Sequence, residues 1–177
     1  MAELALTRSP GDRRRYDLDG MGWLRLGGWA SRWATAEAGE RRWGFARRGL
    51  WRSRIEATDP AGSVVGEFKG RSLKRGGTLR WEEHEYTLTP DSRWRERYAL
   101  LDGAGDDDGD DDDGDGGGGG RLAVLDGKGW GKRPVRVAVD DDAVDPGLLL
   151  FAAFVVRALA EDASAAAGGA AAAGGAG

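Results

Sequence analysis

A glycine-rich basic segment, Gly127–Pro134, carries the residues of this chain best suited to holding an anion. Lysine and arginine near a membrane surface attract anionic lipid by about 1 kcal/mol each, and tryptophan suits the interface. A nucleotide-binding loop is disfavoured, because the segment lacks a Gly-Lys-Ser/Thr ending and does not precede a helix. With a basic pair earlier in the chain, the candidate lipid- or anion-binding residues are Lys74, Arg75, Lys128, Trp130, Lys132 and Arg133.

Catalytic and metal chemistry have little support in the sequence. A hydrolytic triad would depend on His84, the single histidine, and no Gly-x-Ser-x-Gly turn accompanies it. The neighbouring Glu83 and Glu85 would point away from His84 on a strand, because side chains alternate between faces. The absence of cysteine excludes thiolate nucleophiles and sulfur-ligated metals. We therefore predict a non-catalytic protein with no metal and no cofactor.

Charge and aromatic content leave two kinds of anionic partner open. The net charge is −4, but eight aspartates lie between Asp106 and Asp115, so the rest of the chain is mildly basic. The eight tryptophans could stack on single-stranded nucleic acid. Most of them fall on predicted inward faces, however, so we expect core packing and no nucleic-acid partner, with Trp130 as the exception. The predicted inward set is Trp29, Trp33, Trp43, Trp51 and Trp81.

The inward tryptophans and the candidate site residues must be positioned around one apolar helix, which is predicted over Leu148–Leu159. Asp145 is a suitable N-cap and Pro146 a suitable first helical residue. The helix has no polar face, and its uncharged run ends at Arg157, well short of the ~20 residues that span a bilayer. It is therefore expected to be buried in the core of the protein.

The rest of the chain has the pattern of short strands with turn residues between them. Alternation of apolar and polar residues predicts ten to twelve strands before the helix. On one of these strands, Ser31, Trp33 and Thr35 are predicted to share a face with Trp29. The predicted fold class is all-β with one helix, a closed antiparallel barrel of about twelve strands around a central hydrophobic C-terminal helix.

An internal repeat supports this organisation. Residues 51–62 align without gaps to residues 94–105, with six of twelve positions identical. The repeat predicts a duplicated strand–turn–strand unit. Residues 103–120 form a predicted disordered Asp/Gly insertion at the second turn, since hairpin tips tolerate insertions. Calcium binding there is disfavoured because the insertion contains no glutamate. The single domain is expected to span residues 1–162, with a disordered Ala/Gly tail at 163–177.

This order of parts resembles the tubby C-terminal-like superfamily, which includes the LURP-one-related proteins and the phospholipid scramblases. The resemblance is carried by the hairpins Ile55–Phe68 and Tyr98–Val124 and by the final apolar helix. It implies a twelve-stranded barrel threaded by that helix. Lipid-associated or uncharacterised members predominate in the superfamily, and the resemblance implies no particular enzyme activity. No phosphoinositide-binding or scramblase calcium residue of the family matches a position here.

Two functional hypotheses follow. The first is a non-catalytic module that associates peripherally with anionic phospholipids through its basic loops. The second is a protein-interaction or scaffold domain without lipid affinity, in which the Asp/Gly insertion docks a basic partner. We expect a cytoplasmic location, peripheral at the inner face of a membrane under the first hypothesis, because no secretory signal is visible near the N-terminus.

Overall fold

The computed structural model describes most of the chain. The described residues are 2–27, 32–48, 54–71, 76–92, 97–103, 120–128, 130, 134–140 and 143–172. Twelve strands and one helix follow one another along it. They are β1 Ala2–Arg8, β2 Arg15–Leu18, β3 Gly22–Gly27, β4 Trp33–Ala38, β5 Arg41–Arg48, β6 Arg54–Thr58, β7 Val64–Gly70, β8 Gly77–Trp81, β9 His84–Ser92, β10 Arg97–Asp102, β11 Arg121–Asp126, β12 Val135–Val139 and α1 Pro146–Ala172.

The strands form one closed antiparallel barrel, as the sequence predicts. Each strand pairs with the next one along the chain, and β1 closes the ring by pairing with β12, with Leu4 opposite Val137. Closure leaves no unpaired sheet edge, so every strand is bonded on both sides.

The helix lies inside this barrel. Asp145 Oδ1 accepts hydrogen bonds from the main-chain N–H groups of Gly147 (2.6 Å) and Leu148 (3.2 Å), so the predicted N-cap is confirmed. Every residue from Leu148 to Val156 is at most 2% exposed. A helix buried on all its faces needs neighbours on all sides, and α1 contacts strands on different parts of the ring, including β3, β4 and β11.

Aromatic side chains fill the space between the helix and the wall. The Phe151 ring lies 5.1 Å from Phe45 of β5 and 5.5 Å from Trp81 of β8, measured between ring centroids. Trp43 and Trp81 are buried, as predicted. These large rings occupy lumen that one helix alone would leave empty.

The helix extends further than predicted. Residues 163–172, assigned from sequence to a disordered tail, continue α1 to Ala172. Alanine is the strongest helix former, and a helix already nucleated inside the barrel needs only propagation. This part of the tail therefore belongs to α1, whereas residues 173–177 lie outside the described residues.

The predicted facing of β4 was also wrong. Ala34, Ala36 and Ala38 point inward, whereas Trp33 is 53% exposed on the outer wall and Thr35 is exposed beside it. β4 runs along α1, where the small alanine side chain lets the helix approach the wall. The alanines of β4 therefore face the core and its tryptophan faces solvent, the reverse of the predicted arrangement. Trp29, Ser31 and Trp51 lie outside the described residues.

The two repeat units form equivalent hairpins, β6–β7 and β10–β11. Ile55 and Tyr98, which the repeat aligns, are both buried, as are Ala57 and Leu100. The main-chain N–H of Asp102 donates to the carbonyl of Gly120 at 3.0 Å, so the chain leaves and rejoins this hairpin at one point. The insertion at this turn, residues 104–119, lies outside the described residues.

Candidate functional site

The two ends of the barrel differ in charge. Because successive strands run in opposite directions, the connections after odd-numbered strands emerge at one end and those after even-numbered strands at the other. We call the first the basic end and the second the acidic end. The helix begins at the acidic end, after β12, and runs toward the basic end.

At the acidic end, every charged residue described in the connections is a carboxylate. These residues are Asp19, Glu40, Asp59, Glu82, Glu83, Asp140 and Asp145. The sequence of the β10–β11 connection adds the eight aspartates of residues 106–115. The side chain of Arg41, at the start of β5, pairs with Asp145 (3.0 Å) and Glu82 and so partly offsets this charge.

At the basic end the sign is reversed. The cationic residues described in its connections are Arg13, Arg14, Arg32, Arg71 and Lys128. Asp12 is the one carboxylate described there. A hydrogen bond from the Arg14 main chain (2.9 Å) and one from the Arg25 side chain (2.6 Å) hold the pKa of Asp12 below its usual range. Its negative charge is therefore already matched.

Arg47 connects the barrel wall to the helix at the basic end. Its guanidinium, from β5, is 8% exposed and donates to the main-chain carbonyl of Ala158 at 2.6 Å. Asp162 lies 3.3 Å and Glu161 4.0 Å from the same group. The last buried turn of α1 is thereby fixed beside the basic connections.

The structure brings together only part of the sequence-predicted site. Lys128 is exposed, at the start of the β11–β12 connection. Lys74, Arg75, Lys132 and Arg133 lie outside the described residues, although they belong by sequence to the β7–β8 and β11–β12 connections.

Trp130 is partly buried at this end of the barrel. Its ring meets Tyr16 edge-on at 4.9 Å between centroids, and the Arg157 guanidinium lies 5.2 Å from its centroid. The side chain packs against the core beside α1, because the barrel needs a large group to cover its lumen at this end. Trp130 is therefore a poor candidate for contact with a membrane.

A shallow groove of about 490 Å³ lies on the outer wall below Lys128. Its charged lining is mixed, since Arg97 lies 3.3 Å from Asp126 and Arg136 lies 3.6 Å from Glu3. Opposite charges that already pair within the groove leave it poorly suited to a single anion. The cationic character of this end resides in the connections and not in the groove.

A smaller cavity of about 320 Å³ opens at the acidic end. Tyr86 lines it, and burial, reinforced by Asp102, Asp145 and Glu82, raises the pKa of its hydroxyl. His84 is exposed at its margin. Within the described ranges no three His, Asp or Glu side chains are arranged to hold a metal ion.

Sequence reasoning missed two features of this site. One is the exposure of Trp33, which lies on the outer wall where β4 begins, at the basic end. The other is the separation of charge between the ends. Its signal was present in the sequence, because the sign of the charge alternates between successive connections once the strands are placed.

Comparisons with known proteins add one partial similarity. A holo-[acyl-carrier-protein] synthase from Maricaulis maris (strain MCS10) is 33% identical over 85 residues. The match covers 45% of this chain and 60% of that protein, so the chain spans less than two thirds of the curated relative. No protein-family model and no solved structure matches the chain.

Among the described residues, none of the helical structure has the length and apolar character needed to cross a bilayer.

Proposed function

We propose that this protein is a non-catalytic module that binds anionic phospholipid surfaces peripherally through the basic end of its barrel. The observation that carries the proposal is topological. The connections that contain Lys74–Arg75 and Lys132–Arg133 both follow odd-numbered strands and so start and finish at the same end. Separate basic segments of the sequence thus leave and rejoin the barrel at one end.

The distribution of these charges suits a plane of head groups. The basic connections are spaced around a closed ring and do not follow one groove. Single-stranded nucleic acid is instead held in a groove that tracks its backbone. The acidic end would be repelled by the same surface, so the molecule would bind with one end only. Under this proposal it acts at the cytoplasmic face of a membrane.

Vesicle sedimentation tests the proposal. We expect binding to vesicles that contain phosphatidylserine, no binding to neutral vesicles, and a steep loss of binding as salt is raised. Charge reversal of Lys74, Arg75, Lys132 and Arg133 together should abolish sedimentation. Unchanged binding by that variant would refute the assignment.

A matched pair of double variants controls for net charge. Lys132→Gln with Arg133→Gln should weaken binding about 20- to 30-fold, since each cation contributes about 1 kcal/mol. Arg42→Gln with Arg121→Gln removes the same charge near the acidic end, where Arg42 pairs with Glu37 and Arg121 with Asp140. This second pair should bind as wild type does.

A second candidate function is a scaffold domain without lipid affinity. The acidic end favours it, because a surface of carboxylates is complementary to a basic protein partner. Deletion of residues 106–120 discriminates between the two. The lipid proposal expects unchanged or tighter vesicle binding, whereas the scaffold proposal expects loss of the partner.

The proposal includes a superfamily for this chain and the absence of catalytic activity. A barrel of twelve strands closed around a C-terminal helix supports membership of the tubby C-terminal-like superfamily. The relative's name describes a synthase that acts on an acyl-carrier protein. Detection of that activity in the purified protein would overturn the non-catalytic assignment.

A further inference from the structure

We infer that Trp33 is the side chain that enters the membrane interface, and that the barrel docks end-on, with its basic end toward the lipid. This inference rests on the proposed function and names the part of the molecule that performs it. Trp33 takes the role that the sequence had suggested for Trp130, whose ring is packed against Tyr16 and Arg157.

Trp33 is unusual among the large apolar side chains that the structure describes. Only Trp33, at 53%, and Val64, at 45%, are substantially exposed among them. They lie at opposite ends, because β4 begins at the basic end and β7 at the acidic end. Tryptophan is enriched where a protein meets the membrane interface, since its ring is apolar with one polar N–H.

The outer wall holds the Trp33 ring in place. Its partners on the two neighbouring strands are Gly27 and Ala46. Neither has a side chain large enough to cover the indole. The ring lies over Gly27 so closely that a methyl group at that position would overlap the indole. The ring is thus supported from below and open to solvent above, which limits the conformational entropy that binding would remove.

Main-chain hydrogen bonds bring arginine residues to the strands beside this ring. Arg32 precedes Trp33, and its carbonyl accepts a hydrogen bond from the N–H of Arg47. The carbonyl of Arg14 accepts from the N–H of Leu26, next to Gly27, which brings the β1–β2 connection to the same place. Arg13, Arg14 and Arg32 are exposed, and the charge of Arg14 is near enough to Asp12 to help lower the pKa of that carboxyl.

An aromatic ring on strands that adjoin exposed arginines fits an anionic lipid surface in two ways. The arginines attract the head groups over several ångströms, and the indole then exchanges water for the interfacial layer. The acidic end is held away from the membrane by repulsion. End-on docking is the orientation that satisfies all three interactions together.

Truncation of the ring tests the anchoring role. Trp33→Ala should weaken binding to phosphatidylserine vesicles about tenfold, from the apolar area that no longer leaves water. Trp33→Phe should bind within about threefold of wild type, because most of that area is kept. Gly27→Ala retains the tryptophan but displaces its ring, and should weaken binding as well. Each variant is first checked for cooperative thermal melting.

The orientation is tested with single labels, because the chain contains no cysteine. An environment-sensitive fluorophore is attached to Gly11→Cys at the basic end or to Val64→Cys at the acidic end; both positions are exposed. We expect the Gly11 label to shift to the blue on vesicle binding and the Val64 label to stay unchanged.

The outcomes separate the two proposals. Wild-type protein that does not bind anionic vesicles refutes the proposed function and this inference with it. Binding that is equally tight in Trp33→Ala, with a silent Gly11 label, refutes the inference and leaves the function standing. Tighter binding to a single-stranded oligonucleotide than to vesicles would overturn both in favour of a nucleic-acid surface.

Discussion

The guanidinium of Arg47 donates a 2.6 Å hydrogen bond to the main-chain carbonyl of Ala158, joining the barrel wall to the helix that fills it. Ala158 lies on the last buried turn of α1, which continues to Ala172, so this bond ties the wall to the middle of the helix. Asp162 and Glu161 add charge to the same contact. This one side chain therefore links β5 to the last buried turn of α1.

Replacement of Arg47 should lower stability. Arg47→Met removes the bond to Ala158 and should reduce the free energy of unfolding by about 1.5–3 kcal/mol, the range for hydrogen bonds to charged groups. Urea denaturation measures this loss. The control is Arg48→Met, since Arg48 is adjacent in sequence but exposed, and should change stability by no more than about 0.5 kcal/mol. Equal effects of the two substitutions would contradict the assigned role.

A charge in the buried part of the helix should unfold the domain. Leu150 is 0% exposed, and an unpaired buried carboxylate in Leu150→Asp would cost several kcal/mol against a total stability of about 5–15 kcal/mol. Circular dichroism during heating should show no cooperative transition. Ser164→Asp places the same charge on an exposed turn of α1 and should melt as wild type does. Cooperative melting of Leu150→Asp would mean that the helix is not central.

Close packing at the start of the helix should make Gly147 intolerant of a side chain. A methyl group there would lie 2.6 Å from Trp43 and 2.7 Å from Trp81. Gly147→Ala should therefore destabilise the protein by about 1–3 kcal/mol, although alanine is the better helix former. Gly11→Ala, in open space, is the control in the same denaturation assay. A stabilised Gly147→Ala protein would show that the two indoles can move aside.

Alkaline pH should destabilise the fold through Tyr86. The folded state raises the pKa of Tyr86 above its ordinary value near 10, so the unfolded state releases this proton first. Stability linked to Tyr86 is therefore intact below about pH 9 and declines as the pH rises through 10 and beyond. The melting temperature of Tyr86→Phe should fall less steeply over this interval. Parallel curves for the two proteins would exclude a contribution from this hydroxyl.

The sequence was sufficient for the architecture because two strong patterns agreed. An apolar run without a polar face required enclosure, and regularly spaced short strands supplied it, so the barrel and the N-cap at Asp145 were predicted correctly. Alternation alone could not predict which face of β4 points toward the core. Both of its faces carry residues that could be buried, and the close approach of α1 decided in favour of the alanines.

The candidate site was less accessible to sequence reasoning. Trp33 follows Arg32, and Trp130 lies two residues from Lys128 and from Lys132. Nearby basic residues therefore could not distinguish the tryptophan that packs on Tyr16 from the one that faces solvent. That difference depends on tertiary contacts. The separation of charge between the ends could have been deduced, because it needs only the strand boundaries and the rule that antiparallel neighbours reverse direction.

The position of α1 at the end of the element order matters for synthesis. A ribosome releases all twelve strands before the helix that fills their interior. A ring that closed at the β1–β12 seam before then would be hollow and lined with apolar side chains, and the helix could not enter without that seam reopening. The nascent chain therefore has to keep its first and last strands apart until translation has produced the helix, and during that interval it depends on whatever protects exposed apolar surface in the cell.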